Sequence, residues 1–563
     1  ADYNGLLAIK SRQLMHHVVD NSLLHRNQYG SIPGRESITP VLITEMQNEI
    51  ARVTRKPMIS SDYDSSSCYD RIIENLASLV ARGYGQHHLI CKLHAQHLFH
   101  AKYWLKTQLG ISKRFYKHTK NSAVYGTGQG SSASPSLWCL LCCRLFEAHE
   151  SYAHGAIFKS PDEKIVLKTS MVGFVDDCYS SLNLWDDPSA SIDDLLKKAQ
   201  FDAQLWSNLL NSTGGAPEVP KVKFHIIQFQ FQPSGKPIMS TPLPHQRIEI
   251  DAKDGDGMQE MIPLDPSTAR KMLGCHKEPT GSNNKALSAI RKNAIHKATK
   301  IFNSNLNYRC VFRYYYSMFL PSVLYSFPTN SIPTTKLNKL DSQTIRMFLP
   351  KMGFNRNTAK AIVYGPTKYG GINLRSLADE QGLSKLEHLI KHWRSLTTEA
   401  SLHFQIALSW IQQSSGMSKP LLEHPALKTP HLESVWFQNL REFMSCHSIS
   451  ITIPSAHTIP LQRQQDSFYM DHIIASGKFR KHELQKINFC RLYFQPQWTG
   501  TLTRELLPPP IFLTNLSQNL SMIYYLLGNA FTDTNHSSVI AVHLVILLMK
   551  TGFTCCSANI QKE

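Results

Sequence analysis

The chain has 563 residues, 42% hydrophobic and 18% charged, which excludes a disordered polyelectrolyte and leaves room for two or more domains. Its 60 Lys and Arg outweigh 42 Asp and Glu, for a formal net charge of +18. That balance points to a polyanionic partner, nucleic acid or an acidic membrane face, although a soluble basic protein without one has the same composition.

In chain order, residues 1–27 read as a helix, with Leu6, Leu7, Ile9, Leu14 and Val18 at apolar positions. This helix-like stretch starts at Ala1 with no lead-in, so an N-terminus cut from a longer protein is expected. The Gly-rich turn QYGSIPGRES precedes a second helix over 39–53. KPMISSDYDSSSCYDRIIENLASLV begins as a strand and becomes a helix through Tyr69, Ile72, Ile73, Leu76, Leu79 and Val80. Helices are expected to continue to about Gly110. The loop YGTGQGSSASPSLW opens a cysteine-rich helix at Pro135 and Ser136. Its Cys139, Cys142 and Cys143 read as core thiols of a reducing compartment, because no second Cys or His pair completes a zinc site. Residues 170–182 form a tight hairpin, residues 193–210 a helix, and PKVKFHIIQFQF an alternating strand.

Residues 232–266 are rich in Pro, Gly and Asp and read as loop or weak hairpin. RKMLGCHKEPTGSNNK is a short hairpin that leads into a long basic helix. From Arg309 the chain reads as mostly helical, with periodicity fading after about residue 500, and RYYYSMF (Arg313 to Phe319) reads as core. No signal peptide is read, and the apolar run Ser538 to Met549 is too short to span a bilayer. An intracellular protein of the nucleus or cytoplasm, with no membrane partner, is expected.

Two acidic clusters carry the chemistry. SMVGFVDDCYSSL (Ser170 to Leu182) puts Asp176 and Asp177 at the tip of an otherwise apolar hairpin. Two like charges ~4 Å apart repel by about 4 kcal/mol at an effective dielectric near 20, so such a pair needs a reason. SDYDSSSCYD holds Asp62, Asp64 and Asp70, with Asp64 where a strand becomes a helix. If the two strands are sheet neighbours, Asp64 and Asp176 converge at one edge. Carboxylates clustered at a rigid edge suit hard divalent cations, which would cancel the repulsion and clamp the oxygens of a phosphoryl transfer. An Asp-Asp pair by itself is more often a solvated turn.

Taken in order, these stretches resemble a reverse transcriptase, the RNA-directed DNA polymerase of non-LTR retrotransposons such as those of diatom and algal genomes. QYGSIPGRES resembles the fingers segment, with Gln28, Gly30, Gly34 and Arg35 matching. DSSSCYDRI, GTGQGSSASPSLW and FVDD resemble the first three palm motifs. PKVKFHIIQF resembles the fourth, with Lys221 at the family's lysine, and KMLGC resembles the primer-grip hairpin. LPSVLYSFP and YGPTKYGGINL resemble the region beyond the thumb.

The resemblance implies an α+β right-hand polymerase fold followed by a mostly helical C-terminal region. Partial fingers and palm would occupy 1–268, primer grip and thumb 269–345, a helical extension 346–500, and a poorly defined tail 501–563. It implies RNA-templated DNA synthesis with two Mg²⁺ ions, Mn²⁺ being a substitute. The partners would be an RNA template, a DNA primer and deoxynucleoside triphosphates.

Carried over by residue, Asp64, Asp176 and Asp177 would be catalytic and hold the metals. Tyr69 would lie beneath the incoming sugar and reject a 2′-hydroxyl; on spacing alone it is equally a core aromatic. Gln129 and Gly130 would lie along the nucleotide and template, where a glycine lets the backbone approach closely. Lys221 would neutralise or protonate the departing pyrophosphate, or is a solvated edge-strand lysine. Gln28, Gly34 and Arg35 would face the template, and Leu273 and Gly274 the primer end. Asp62 and Asp70 match no universal metal position, and Asp70 reads as structural.

In NKALSAIRKNAIHKATKIF, Leu287, Ile290, Ala294, Ala298 and Ile301 share one helical face. Lys285, Lys292, His296 and Lys300 share the opposite face, the one a thumb would turn to nucleic-acid backbone. Two rivals stand beside this reading. An RNA-dependent RNA polymerase usually carries Gly before the Asp pair and lacks an aromatic gate, unlike Val175 and Tyr69 here. A catalytically inactive retroelement remnant that binds nucleic acid is the alternative, because the family's preceding basic fingers strand is absent from this sequence.

Overall fold

The computed structural model describes residues 2–452, apart from 120–123, 129, 188–189, 254, 366, 368–369 and 396. The expected tail, 501–563, and the last part of the expected helical extension, 453–500, lie outside the described residues. The chain mixes helix and strand and forms two compact units. One comprises Ala1–Ile290, Tyr325–Pro333 and Gln381–Glu442. The other comprises Arg291–Leu324, Thr334–Glu380 and the described residues from Phe443.

The first unit is built on a five-stranded sheet. Its order is Ile262–Leu264, Lys223–Ile227, Met58–Tyr63, Asp177–Asn183, Met171–Phe174. All neighbours are antiparallel except Ile262–Leu264, which adds in parallel to Lys223–Ile227. Met58–Tyr63 therefore lies between the aspartate hairpin and the lysine-bearing segment. This adjacency brings distant sequence motifs together.

Helices Ser134–Tyr152 and Ile192–Ser212 close one face over Ile59, Tyr63, Trp138, Phe146 and Trp206. Trp206 makes ring contacts with Phe146 at 5.8 Å and Tyr63 at 6.4 Å. A capping box of Ser191 and Asp194 starts the second of these helices. The other side of the sheet meets helix Ile38–Thr54, whose Ile43 clusters with Tyr29, Val172 and Ala400. That helix is buried almost throughout, including its charges. Arg52 pairs with Glu49 at 2.5 Å and Glu45 at 3.1 Å, and Lys277 reaches Glu45 at 2.6 Å. Such a network is retained because each buried charge has a partner.

Several local expectations change. The first helix ends at Asp20, because Ser22 takes φ +52° and Leu23 N–H returns to the Val18 carbonyl. The single helix expected through Tyr69 and Val80 is two, Cys68–Arg71 and Glu74–Gly83. At the break, Ile73 N–H goes to Thr213 and the Ile72 carbonyl to Gly126, so tertiary partners replace the helical bonds. Helix does not continue to Gly110. It stops at His100, and Lys102–Thr107 pairs with Gly110–Lys117 as a hairpin. Cross-strand Tyr103–Tyr116 and Trp104–Phe115 contacts favour strands there. The strand expected from Pro220 starts at Lys223, after a short helical turn at Val219–Lys221.

In the second unit, Tyr315, Phe319 and Phe348 form a buried aromatic cluster, with Phe319 and Phe348 at 4.8 Å. The expected core role of RYYYSMF holds for Tyr315 and Phe319. Asp341 is buried nearby and accepts from Tyr364 Oη at 2.6 Å and Leu377 N–H at 3.3 Å. No described cysteine is in a disulfide, and Cys139, Cys142 and Cys143 are buried. No helix among the described residues is long and apolar enough to cross a membrane.

Candidate active site

Backbone pairing brings three carboxylates to one end of the sheet. Asp64 follows Tyr63, the last residue of its strand, and Tyr63 pairs with Cys178, the neighbour of Asp177. Phe174 pairs with Asp177, leaving Val175 and Asp176 as the two central residues of a tight turn. Val175 takes φ +59°, a left-handed conformation that costs a β-branched residue roughly 1–2 kcal/mol. The turn is held from both sides. The Trp138 indole N–H donates to the Val175 carbonyl at 2.7 Å, and Gly30 lies against the Val175 backbone.

The electrostatics are those of crowded acids. Burial raises the Asp177 carboxyl to about 6, and Asp176, Asp64 and Asp62 add to the rise. Burial likewise raises Asp176, with Asp64 contributing. Lys221 Nζ sits 3.0 Å from Asp64 Oδ2, and that contact raises the lysine's pKa. Asp62 points to a different partner, Arg270 at 2.8 Å, yet burial still lifts its carboxyl to about 6.

Tyr69 is half-buried in the first turn of Cys68–Arg71, and burial pushes its phenol up to about 12, with Asp176 a smaller contributor. Its carbonyl accepts from Thr127 N–H at 2.8 Å. This ties the first-motif helix to the Gly-rich loop. Within this loop the tight contact with protein is at Gly126, where a Cβ would stand 2.7 Å from Asp70 Cα. Gly130 has φ +91° and faces open space. Gln129 lies outside the described residues.

Gln28 is buried, bridges to Gly173, and accepts from Gly30 N–H at 2.8 Å. Arg35 donates to the carbonyls of His25, at 2.9 Å, and of Arg26 and Gln28. Both side chains thus build the loop behind the aspartate turn. Gly34 is exposed, with φ +78°. Leu273 and Gly274 form the tip of the Arg270–Met272/Cys275–Lys277 hairpin, with φ +43° and +85°. Arg270 anchors that hairpin to Asp62 and Lys277 anchors it to Glu45. Lys285, Lys292, His296 and Lys300 are exposed along helix Asn284–Phe302, and Ala286, Ile290, Ala294, Ala298 and Ile301 are buried. Leu287 is only half-buried and Ala286 takes its place in the core.

Sequence reasoning missed the structural demand on Gly30, the closure at Gly126, and the Arg270–Asp62 pair. The glycine pattern could have flagged the first two. Nothing local links Arg270 to Asp62, because the pair exists only through sheet packing.

Among the described residues, no three His, Cys, Asp or Glu side chains are grouped so as to hold a metal ion. The donors have the chemistry of a hard-cation site, three carboxylates whose charges oppose one another. Asp64 meets Lys221 through Oδ2, so a site using all three carboxylates has that lysine beside it.

No family model and no curated protein matches the chain. Among solved structures it is similar to telomerase from Candida albicans in complex with a TWJ fragment of telomeric RNA, at 13% identity and TM-score 0.33, covering 74% of this chain and 55% of that one. It is also similar to apo telomerase from Candida tropicalis, at 12% identity and TM-score 0.32, covering 77% of this chain and 61% of that one. The chain thus spans 55% and 61% of the lengths of these two structures.

Proposed function

We propose that the chain is a retrotransposon-derived, RNA-directed DNA polymerase. One observation carries the reading: Asp64 directly follows the central strand, beside the turn that bears Asp176 and Asp177. Asp64, Asp176 and Asp177 would hold two Mg²⁺ ions, with Lys221 beside the Asp64 carboxylate. Bound there, Mg²⁺ supplies the positive charge that stabilises the attacking and leaving oxygens of nucleotidyl transfer.

The protein's own residues position and select. Tyr69, fixed through its carbonyl to the Gly-rich loop, would stack beneath the deoxyribose and exclude a 2′-hydroxyl. Lys221, exposed and already opposite a carboxylate, would meet the pyrophosphate. The Leu273–Gly274 tip would support the primer end, and the basic face of helix Asn284–Phe302 would follow the duplex backbone. Most of the rate would come from positioning and charge.

The Asp64–Lys221 ion pair also favours a second reading, a remnant that binds nucleic acid without extending it. Primer extension on an RNA template with deoxynucleotides and Mg²⁺ separates the two. Extension by this chain, lost in Asp176→Asn/Asp177→Asn, is the expected result. Salt-sensitive template binding with no extension by either protein would establish the remnant.

A further inference from the structure

The hairpin Lys102–Thr107/Gly110–Lys117 has no part in the carboxylate site, and its composition is unusual. Residues 75–146 contain no Asp or Glu, whereas the hairpin carries Lys102, Lys106, Lys113, Arg114 and Lys117. Register pairs Lys102 with Lys117 and Trp104 with Phe115, so these four side chains share one face. All four are exposed, Trp104 at 50% and Phe115 at 44%. The rings stand 5.6 Å apart, and Lys102 Nζ lies 4.9 Å from the Phe115 centroid. The same edge, with His97 and His100 of helix His88–His100, lines a shallow groove at Trp104. Exposed aromatic rings cost solvation without a partner, and among the described residues about half of Trp104 and Phe115 stays open to solvent.

We infer that this face is a binding platform for a single strand of nucleic acid. Bases stack on Trp104 and Phe115, and Lys102 and Lys117 meet the flanking phosphates. A surface of this charge repels a second copy of itself and attracts a polyanion, and ring stacking selects unpaired bases over duplex. Only the identity of the strand, the unpaired template, rests on the polymerase reading.

The test is equilibrium binding of a fluorescein-labelled oligouridylate, followed by anisotropy without nucleotide or divalent cation. Trp104→Ala/Phe115→Ala is expected to bind about tenfold to a hundredfold more weakly. Trp104→Tyr, which keeps a stacking ring, is expected to retain most of the affinity. Lys102→Gln/Lys117→Gln is expected to flatten the log–log salt dependence by about 1.4. The glutamine variant should keep the wild-type unfolding midpoint, and the alanine variant, which also loses the Trp104–Phe115 strand contact, is read against Trp104→Tyr.

Unchanged affinity in the alanine variant overturns the proposal. So does a concentration-dependent dimer that this variant abolishes while oligonucleotide affinity stays the same. A chain that binds through the hairpin yet never extends a primer sinks the polymerase reading alone. One that extends while the hairpin variants bind normally sinks this proposal alone.

Discussion

Gly30 stands so close to Val175 that a β-carbon on it would lie 2.2 Å from the Val175 amide nitrogen. Val175 is itself left-handed and precedes Asp176, so the loop containing Gly30 clamps the turn that aims the acids. Gly30→Ala must displace backbone, and overpacking of this kind costs roughly 1–3 kcal/mol. A lower unfolding midpoint and loss of primer extension are expected together. Normal extension by a folded Gly30→Ala protein would show that the clamp does not set the turn.

Leu273 and Gly274 both have positive φ, the geometry of a type I′ turn, which favours Asn or Gly at the first central position. Leu273→Asn should therefore raise stability by about 1 kcal/mol, read by thermal unfolding. Tyr325 Oη donates to the Leu273 carbonyl at 2.9 Å, a backbone contact that the substitution keeps. The same variant should make shorter extension products if the leucine supports the primer end. Stability and processivity would then move in opposite directions.

Burial pushes the Asp341 carboxyl up to about 7 despite its bonds from Tyr364 and Leu377. In an unfolded chain the same carboxyl titrates near about 4. The folded state keeps this proton where the unfolded state releases it. The group's stabilisation is therefore complete below about pH 4 and is lost as pH rises through about 7. Asp341→Asn should gain on the wild type over that window in unfolding midpoint. Parallel pH profiles would refute the assignment.

Lys292 and Lys300 are exposed on a helix whose opposite face is buried. If that face tracks a duplex, Lys292→Gln/Lys300→Gln should reduce the slope of log affinity against log salt by about 1.8 for a primer–template. The unfolding midpoint should not change. A wild-type slope in the variant would mark the stripe as a solvated face.

Much was legible from local pattern. Periodicity located helices Ile38–Thr54, Ser134–Tyr152, Ile192–Ser212 and Asn284–Phe302, because side-chain spacing dictates which face can be buried. Apolar flanks around Asp176 and Asp177 marked a hairpin, and the glycines marked turns. What the sequence alone determined is this set of elements, the residue types at their ends, and the basic charge.

Tertiary structure decided which ends meet. Placing Met58–Tyr63 between Asp177–Asn183 and Lys223–Ile227 sets Asp64 beside both the aspartate turn and Lys221. It split the helix at Ile72, where Thr213 and Gly126 take the backbone groups that a continued helix would pair. It also gave Asp62 to Arg270 and closed Gly126 on Asp70. These contacts join residues far apart in the chain. Their energies depend on burial and distance, which no local window of residues contains.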